Sequence, residues 1–479
     1  MQRLSGLDAG FLYLETPNQP LHICGLIILD PGTVPGGYDF PALRAELAAR
    51  LAAVPRFRMK IADSRFNPDH PVWVDDTHFD LDRHLHRIAV PAPGTRRELA
   101  DLCGHIAAQP LDRSKPLWEM WLVEGLDDGG VAVFAKMHHA GVDGVTGAAM
   151  MAQLCSLEPD APRPTPDSGG AGSGHSLEIA LGGMLNVARR PFHLARILPS
   201  TLTSVSSWVF RARRGAAMPA PFTAPRTPFN GTLTGHRSVA FVPLDIADVK
   251  TVKNAFGVTV NDVVMALCAG ALRTYLDRRG ELPDTSLVAV VPVSVHDKSD
   301  RPGRNQVSAM FASMQTHIDD PVQRLRAIAD TAEVAKDHNS EIGANLLQDW
   351  SEFMDPTVFG TAMRAYSALR LAEKHPVIHN LVVSNVPGAP MPLYFLGARI
   401  TAMYPFGPIF DGAALNITVL SLDGKLDVGV IACPDLVPDL WELVDECPRA
   451  LDELLAAAHA AADDPEAASR VGKAHGADG

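Results

Sequence analysis

No C-x-x-C pair occurs in the 479 residues, and the six cysteines (Cys24, Cys103, Cys155, Cys268, Cys433 and Cys447) stand singly. A disulfide framework or a thiolate metal site is therefore not expected, and reduced thiols in a cytoplasmic setting are the simple reading. Long apolar runs are also missing. Leu287 to Val295 stops well before the roughly 18 residues that cross a bilayer, so no transmembrane helix is expected. Arg3, Asp8 and Glu15 interrupt the first apolar stretch, which removes the h-region of a signal peptide. Positive charge is in deficit, with 42 Lys and Arg against 55 Asp and Glu for a formal charge of −13. Phosphate backbones call for a concentrated basic face, so no nucleic-acid partner is expected. Two catalytic signatures are absent as well: H-E-x-x-H, which lets two histidines share a zinc ion, and G-x-S-x-G, which presents an acyl-forming serine.

What remains is a chain with 47% hydrophobic residues, enough for a sizeable core and for two or three domains. Strand-like and helix-like segments alternate to about Glu158, with a helix over Pro41 to Val54 and a buried strand over Val131 to Met137; this is α/β patterning. From Pro159 to Gly174 the sequence turns to Pro, Gly, Ser and Asp, which marks a linker. Alternation resumes near Thr234. Asn261 to Gly280 reads as a helix with Val264, Leu267, Cys268, Ala271, Leu272, Tyr275 and Leu276 on one face. Leu287 to Val295 reads as a central strand in which Pro292 implies an edge or a bulge. Asp423-Gly424, flanked by Leu415 to Ser421 and Leu426 to Ala432, signals a hairpin. A C-terminal helix spans about Trp441 to Ala458, and the small, polar tail is expected to be disordered. The organisation predicted is a first lobe over 1–158, a crossover over 159–233, a second lobe over 234–462 and a tail over 463–479. No repeat relates the two halves.

Within the crossover, Leu177 to Met218 sets Arg189, Arg190, Arg196, Arg211, Arg213 and Arg214 among Leu, Ile, Phe192, Trp208 and Phe210, with Glu178 the single acid. That composition suits a basic amphipathic segment lying on an anionic membrane or lipid-droplet surface. The alternative is a crossover helix packed on the protein's own flank.

The chemistry concentrates in His138-His139-Ala140-Gly141-Val142-Asp143-Gly144. Side chains alternate along a strand, so Val131, Val133, Ala135, Met137 and His139 share one face while His138 takes the other. Only one of the two histidines can face a given cleft. The same alternation opposes a shared zinc ion, and no metal site is expected. Ala140, Gly141 and Gly144 allow a sharp turn out of the strand into a helix from Val145. Asp143 would cap that helix or hold an arginine, fixing the loop, with a direct part in catalysis the alternative. A neutral imidazole at such a strand end suits acyl transfer from a thioester to an alcohol. The thiol leaves easily, with a pKa near 8.5, whereas the alcohol must first lose its proton.

Further runs carry a resemblance: Leu4-Ser5-Gly6-Leu7-Asp8-Ala9, Leu14-Glu15-Thr16, Trp73-Val74-Asp75-Asp76, Phe79-Asp80-Leu81-Asp82, Pro116-Leu117-Trp118, Asn261-Asp262 and Val383-Ser384-Asn385-Val386-Pro387-Gly388. With the histidine run, and in this order, they make the chain resemble the bacterial wax ester synthase / acyl-CoA:diacylglycerol acyltransferase family over nearly its whole ordered length. That family is similar to the chloramphenicol acetyltransferase superfamily, which includes peptide-synthetase condensation domains. The resemblance implies an α/β fold of two chloramphenicol acetyltransferase-like lobes, each a mixed sheet flanked by helices, with the histidine in an interlobe channel. It implies His139 as general base with His138 auxiliary, and acyl-CoA with diacylglycerol or a long-chain alcohol as substrates; no separate cofactor is expected.

The accessory motifs have structural readings. Pro116-Leu117-Trp118 would be an apolar lead-in to a core strand, and Asn261-Asp262 a helix cap, with Asn261 alternatively positioning substrate. Ser384-Asn385 would end a Leu381 to Val383 strand ahead of a Pro387-Gly388 turn, lining the channel or donating to an oxyanion. Competing expectations are a lipid-binding or droplet-coating protein that kept the fold without catalysis, and a condensation-type domain acting on carrier-bound acyl groups.

Overall fold

The computed structural model describes residues 2–63, 67, 69–142, 151, 153–163, 165, 178–179, 208, 210–212, 217–294, 307–342 and 356–463. Its strands begin with β1 (Gln2–Arg3), β2 (His22–Asp30), β3 (Met59–Ala62), β4 (Val72–Asp75), β5 (Leu85–Ala89), β6 (Trp118–Glu124), β7 (Val131–His138) and β8 (Cys155–Ser156). They continue with β9 (Ser238–Asp245), β10 (Val288–Ser294), β11 (Val307–Ser313), β12 (Leu381–Val386), β13 (Tyr394–Phe395), β14 (Ala398–Phe406), β15 (Leu415–Leu422) and β16 (Lys425–Ala432). The helices are α1 (Gly6–Leu14), α2 (Phe40–Ala52), α3 (Arg96–Ala108), α4 (Ile246–Phe256), α5 (Val260–Asp277), α6 (Pro321–Ile342), α7 (Pro356–Ala368), α8 (Leu440–Val444) and α9 (Glu446–Asp463).

Two mixed sheets organise the molecule. One runs β5-β6-β7-β2-β14-β13-β8, the other β11-β10-β12-β15-β16-β9, and a small sheet β1-β4-β3 stands beside them. The histidine strand β7 pairs antiparallel with β2 and β6 at the centre of the first sheet. That sheet also takes β13 and β14 from beyond residue 390, so a boundary near residue 234 follows the chain and not the sheets.

Strand β14 closes one flank of the cleft between the sheets. It pairs with β2 and meets β16 of the second sheet across the gap. There Asp427 accepts from the Met403 amide at 2.6 Å and Lys425 donates to the Thr401 carbonyl at 2.9 Å. The approach is so close that a Cβ on Gly429 would lie 2.0 Å from the Pro405 carbonyl oxygen. Only glycine fits there.

Each sheet buries its outer face on helices. Leu26, Ala132 and Phe134 pack beneath α3 residues Leu99, Cys103 and Ile106. Ala289, Val383, Ile417 and Val430 pack on α5, whose Val263, Val264, Leu267 and Leu272 are fully buried. Each such side chain contributes about 1.5–3 kcal/mol of hydrophobic burial before entropy is counted. Helix α5 starts where a capping box forms: Thr259 accepts from the Asp262 amide, and Asp262 accepts from both the Thr259 amide and hydroxyl.

Several sequence expectations meet the fold directly. The hairpin β15–β16 turns at Asp423 and Gly424, with φ of 46° and 80°, the left-handed pair that an Asp-Gly turn supplies. Pro292 stands opposite Ala309 on β11, while parallel pairing to β12 is confined to Ala289 and Val290. The ladder between β10 and β12 therefore does not extend past Val290. Two expectations need correction. Ser384 and Asn385 do not end their strand: β12 runs through them to Val386, because β15 pairs with it from Val382 to Val386. The C-terminal helix is two pieces, α8 and α9, meeting at Asp445.

Asp143 and Gly144, the helix expected from Val145, most of the linker, most of the basic 177–218 segment and the tail beyond 463 lie outside the described residues. Among the described residues no single helix is long and apolar enough to cross a membrane.

Candidate active site

A cavity of about 410 Å³ lies between the inner faces of the two sheets, a size suited to one small-molecule or acyl-chain occupant. Strand parity decides what enters it. From β7 and the residue after it come Ala135, Met137 and His139; from β2 come Ile23, Gly25 and Ile27; from β14 come Met403 and Pro405. The facing sheet contributes Val290, Pro292, Val382, Ser384, Val386, Asn416, Thr418 and Leu420, and α1 contributes Leu7 and Phe11. The lining is mostly aliphatic carbon.

His139 is held from two directions. Its backbone amide donates to the Leu21 carbonyl at 2.9 Å, extending the β2–β7 pairing by one residue. Its ring stacks on Phe11, with centroids 3.9 Å apart and planes at 15°. Among the described residues lining the cavity, the only titratable groups are His139 and Cys24. Burial pushes the Cys24 thiol up to about 12, and its side chain packs with the outer-face core. That leaves His139 as the one titratable group among these described residues set on the cavity face.

His138 lies on the opposite face, 1% exposed. The Ala140 amide donates to its Nδ1 at 3.0 Å, so a neutral ring carries its proton on Nε2. That nitrogen points at Glu15 Oε1, 3.5 Å away. Glu15 also pairs with Arg113, accepts from the Leu21 amide at 3.3 Å and lies 3.6 Å from His22. Burial works to raise the Glu15 carboxyl, but the His138 Nε2–H and the Arg113 guanidinium beside it outweigh burial and bring it down to about 2. His22 is held well below the usual imidazole range, chiefly by burial. Lys136, fully buried on this face, donates to the Ile106 and Gln109 carbonyls at 3.1 and 3.0 Å and pairs with Glu119 at 3.2 Å. It satisfies the carbonyl end of α3.

The accessory motifs divide between the cavity and its frame. Leu117 and Trp118 are buried away from the cavity, and the Leu117 carbonyl accepts from the His138 amide at 3.0 Å. Trp118 donates to the Phe57 carbonyl at 2.7 Å and stacks on His84 at 4.6 Å, while Pro116 leads into this frame. Asp262 belongs to the cap of α5 and Asn261 to its first turn, and neither lines the cavity. Ser384 and Asn385 do line it. Gly388, which ends their motif, lies so near β15 that a Cβ would be 2.0 Å from the Ser421 carbonyl.

Sequence reasoning passed over Phe11, Asn416 and Thr418. Thr418 stands beside Ser384 in the β12–β15 register and donates to Asn416 Oδ1 at 2.7 Å, while Asn416 donates to the Pro408 carbonyl at 3.0 Å. A signal existed: polar Asn416 and Thr418 alternate with apolar Leu415, Ile417 and Val419, the period-two pattern of a strand with one face on a polar site. Phe11 had no such signal, since its partner is 128 positions away.

The geometry has counterparts among known proteins. The wax ester synthase/diacylglycerol acyltransferase catalytic-domain family matches residues 4–264, and the C-terminal domain of the same family matches 304–455. A Mycobacterium tuberculosis protein that bears the name of a diacylglycerol O-acyltransferase is 54% identical over 456 residues, covering 95% of this chain and 90% of that protein. Another from the same organism, similarly named, is 38% identical over 94% of this chain and 99% of its own. A solved structure of the wax ester synthase/diacylglycerol acyltransferase from Marinobacter aquaeolei superposes with a TM-score of 0.69 at 29% identity, covering 96% and 100% of the two chains. The first condensation domain of the calcium-dependent antibiotic synthetase shares the fold, with a TM-score of 0.59 at 15% identity over 96% of each chain.

Proposed function

The chain belongs to the wax ester synthase/diacylglycerol acyltransferase family, and from that premise we propose that His139 is the general base of an acyl transfer from acyl-CoA to diacylglycerol. The enzyme is an O-acyltransferase. In the reaction, the His139 imidazole takes the proton of the acceptor hydroxyl as its oxygen attacks the thioester carbonyl. The C–S bond breaks, the ester C–O bond is complete, and the proton passes to the departing thiolate. The products are triacylglycerol and free CoA.

The observation that carries this reading is the pairing of one competent base with an apolar cavity. An aliphatic lining suits acyl chains and excludes water, which would otherwise compete with the alcohol for the thioester. Ser384 lines the wall opposite the histidine strand, with Thr418 and Asn416 beside it, and to it we assign the donation to the oxyanion. His138 and Glu15 support the strand end from behind. Asp143 is assigned the task of fixing the loop that follows.

The family's name joins two acceptors, and a long-chain alcohol presents the same hydroxyl to the same base, so wax ester synthesis is the second reading. Because diacylglycerol partitions into lipid, we place the enzyme at the surface of a membrane or lipid droplet, with the basic 177–218 stretch as its electrostatic contact. The test uses purified protein with labelled long-chain acyl-CoA and either diacylglycerol or hexadecanol. His139→Ala should lower turnover with either acceptor by roughly two to four powers of ten. Full activity in that variant would sink the assignment.

A further inference from the structure

Helix α1 is short and apolar, and it starts at a proper cap, where Ser5 Oγ accepts from the Asp8 amide at 3.1 Å. Its residues divide by the helical period. Ala9 and Leu12 are buried in a small core with Leu4, Met59 and Trp73; Leu7 and Phe11, four apart, share the face that lines the cavity, and Phe11 also packs against the edge of that core. Further anchors fix the helix around that face. The Leu4 amide donates to the Pro71 carbonyl at 3.0 Å, Tyr13 hydrogen bonds to His70 at 3.0 Å, and α7 packs alongside. The Phe11 ring is therefore delivered to the cavity by a rigid element.

What it meets there is the face of the His139 imidazole, at 3.9 Å and 15° from parallel. The backbone of His139 is fixed by strand pairing to Leu21, but strand pairing does not fix rotation about the side-chain bonds. A phenyl ring lying flat on the imidazole does. Face-on contact also leaves the ring's edge, which carries both nitrogens, uncovered by the phenyl.

We propose that Phe11 is a positioning residue for the acyl transfer: an aromatic platform that sets the plane of the His139 imidazole so that its basic nitrogen meets the acceptor hydroxyl in line. One face of the base is closed by Phe11, so substrate does not approach the imidazole from that side. The hydroxyl oxygen then loses its proton in the imidazole plane, where the nitrogen lone pair lies, as it forms the bond to the thioester carbon. This rests on His139 being the base.

The experiment compares Phe11→Leu and Phe11→Trp, each in the wild-type and His139→Ala backgrounds, measuring kcat, the acyl-CoA KM, and Tm as a control for folding. Leucine fills the apolar space without a ring, and tryptophan restores one. Stacking of this kind is worth about 0.5–1.5 kcal/mol, so Phe11→Leu should lower kcat roughly three- to tenfold at nearly unchanged acyl-CoA KM. Phe11→Trp should recover most of that loss. Because Phe11 acts through the base, Phe11→Leu should cost nothing further once His139 is alanine. The proposal is overturned if folded Phe11→Leu keeps wild-type kcat, if Phe11→Trp loses as much as Phe11→Leu, or if the loss persists undiminished in the His139→Ala background. If His139→Ala alone keeps full turnover, the base assignment itself fails, which is a separate outcome.

Discussion

The two faces of β7 carry adjacent histidines in opposite circumstances. On the inner face His139 follows Ala135 and Met137 into an apolar cavity, steadied by a phenyl ring and a backbone hydrogen bond. On the outer face His138 follows Phe134 and Lys136, where Glu15 meets His138, His22 and Arg113, and Lys136 pairs separately with Glu119. The sequence repeats one residue type, and strand alternation gives the two copies different surroundings, which fits the proposed division into base and strut. A base must be able to gain and lose a proton beside substrate. A strut must hold one state, and the depressed Glu15 carboxyl shows how strongly the outer face prefers its ionised form.

Exchanging rate for stability is the sharpest way to break this contrast. His139→Ala should cost its two to four powers of ten in turnover with little change in Tm. His138→Ala should do the reverse, lowering Tm by several degrees while the folded fraction keeps most of its turnover. Removing the imidazole leaves half-buried Glu15 short of one partner and the Ala140 amide short of an acceptor, a loss of roughly 2–3 kcal/mol. Thermal melts and turnover measured on the same preparations decide it. If His138→Ala abolishes turnover at full stability, the division of labour is wrong.

A smaller effect follows from the Glu15 carboxyl alone. Its pKa falls from an ordinary 4.5 to about 2 in the folded chain. A lowered folded-state pKa contributes stability that is fully present above the unfolded value and is lost as pH falls through about 4.5 toward 2. The shift corresponds to about 3 kcal/mol. Glu15→Gln should therefore be less stable than wild type by about 2–3 kcal/mol at pH 7, and the two denaturant midpoints should converge as pH approaches 2. Parallel curves across that window would show that the carboxyl charge is not what holds the outer face.

How much of this was legible in the sequence depended on the range of the interaction. The Asp423-Gly424 turn, the α5 helix and the parity that separates His138 from His139 are local consequences of backbone geometry, readable over a few residues. Ser384 and Asn385 were readable as polar residues for the cavity, but their place inside β12 was not, because β15 sustains that strand from 34 residues on. Nor does any window reveal that β14 returns to the histidine sheet or that Phe11 lies on His139. Those contacts are set by the packing of whole elements. The family motifs bridged part of that distance: Pro116-Leu117-Trp118 reads locally as apolar, and only in the fold does Leu117 hold the backbone of His138.

The mildest expected effect concerns a carboxylate of the opposite kind, and so tests whether buried charge in this fold always strengthens it. Asp427 is fully buried on β16, accepts from the Met403 amide across the junction of the two sheets, and has one oxygen without a hydrogen-bond partner. Burial raises its carboxyl from 3.8 to about 6, against smaller lowering contributions from the Met403 amide and Lys425. A raised folded-state pKa means stability is greatest below about 3.8 and is lost as pH climbs through about 6, the mirror image of Glu15. Asp427→Asn keeps an oxygen for the Met403 amide and removes the charge. It should flatten the stability profile between pH 4 and 6 and gain about 1–2 kcal/mol at pH 7, less than the full shift because the new amide group lacks a second partner. Since Met403 also lines the cavity, turnover should be measured alongside. A variant with the same pH slope as wild type would show that Asp427 is already ionised and compensated, and that the sheet junction, like the outer face of β7, is held by charge.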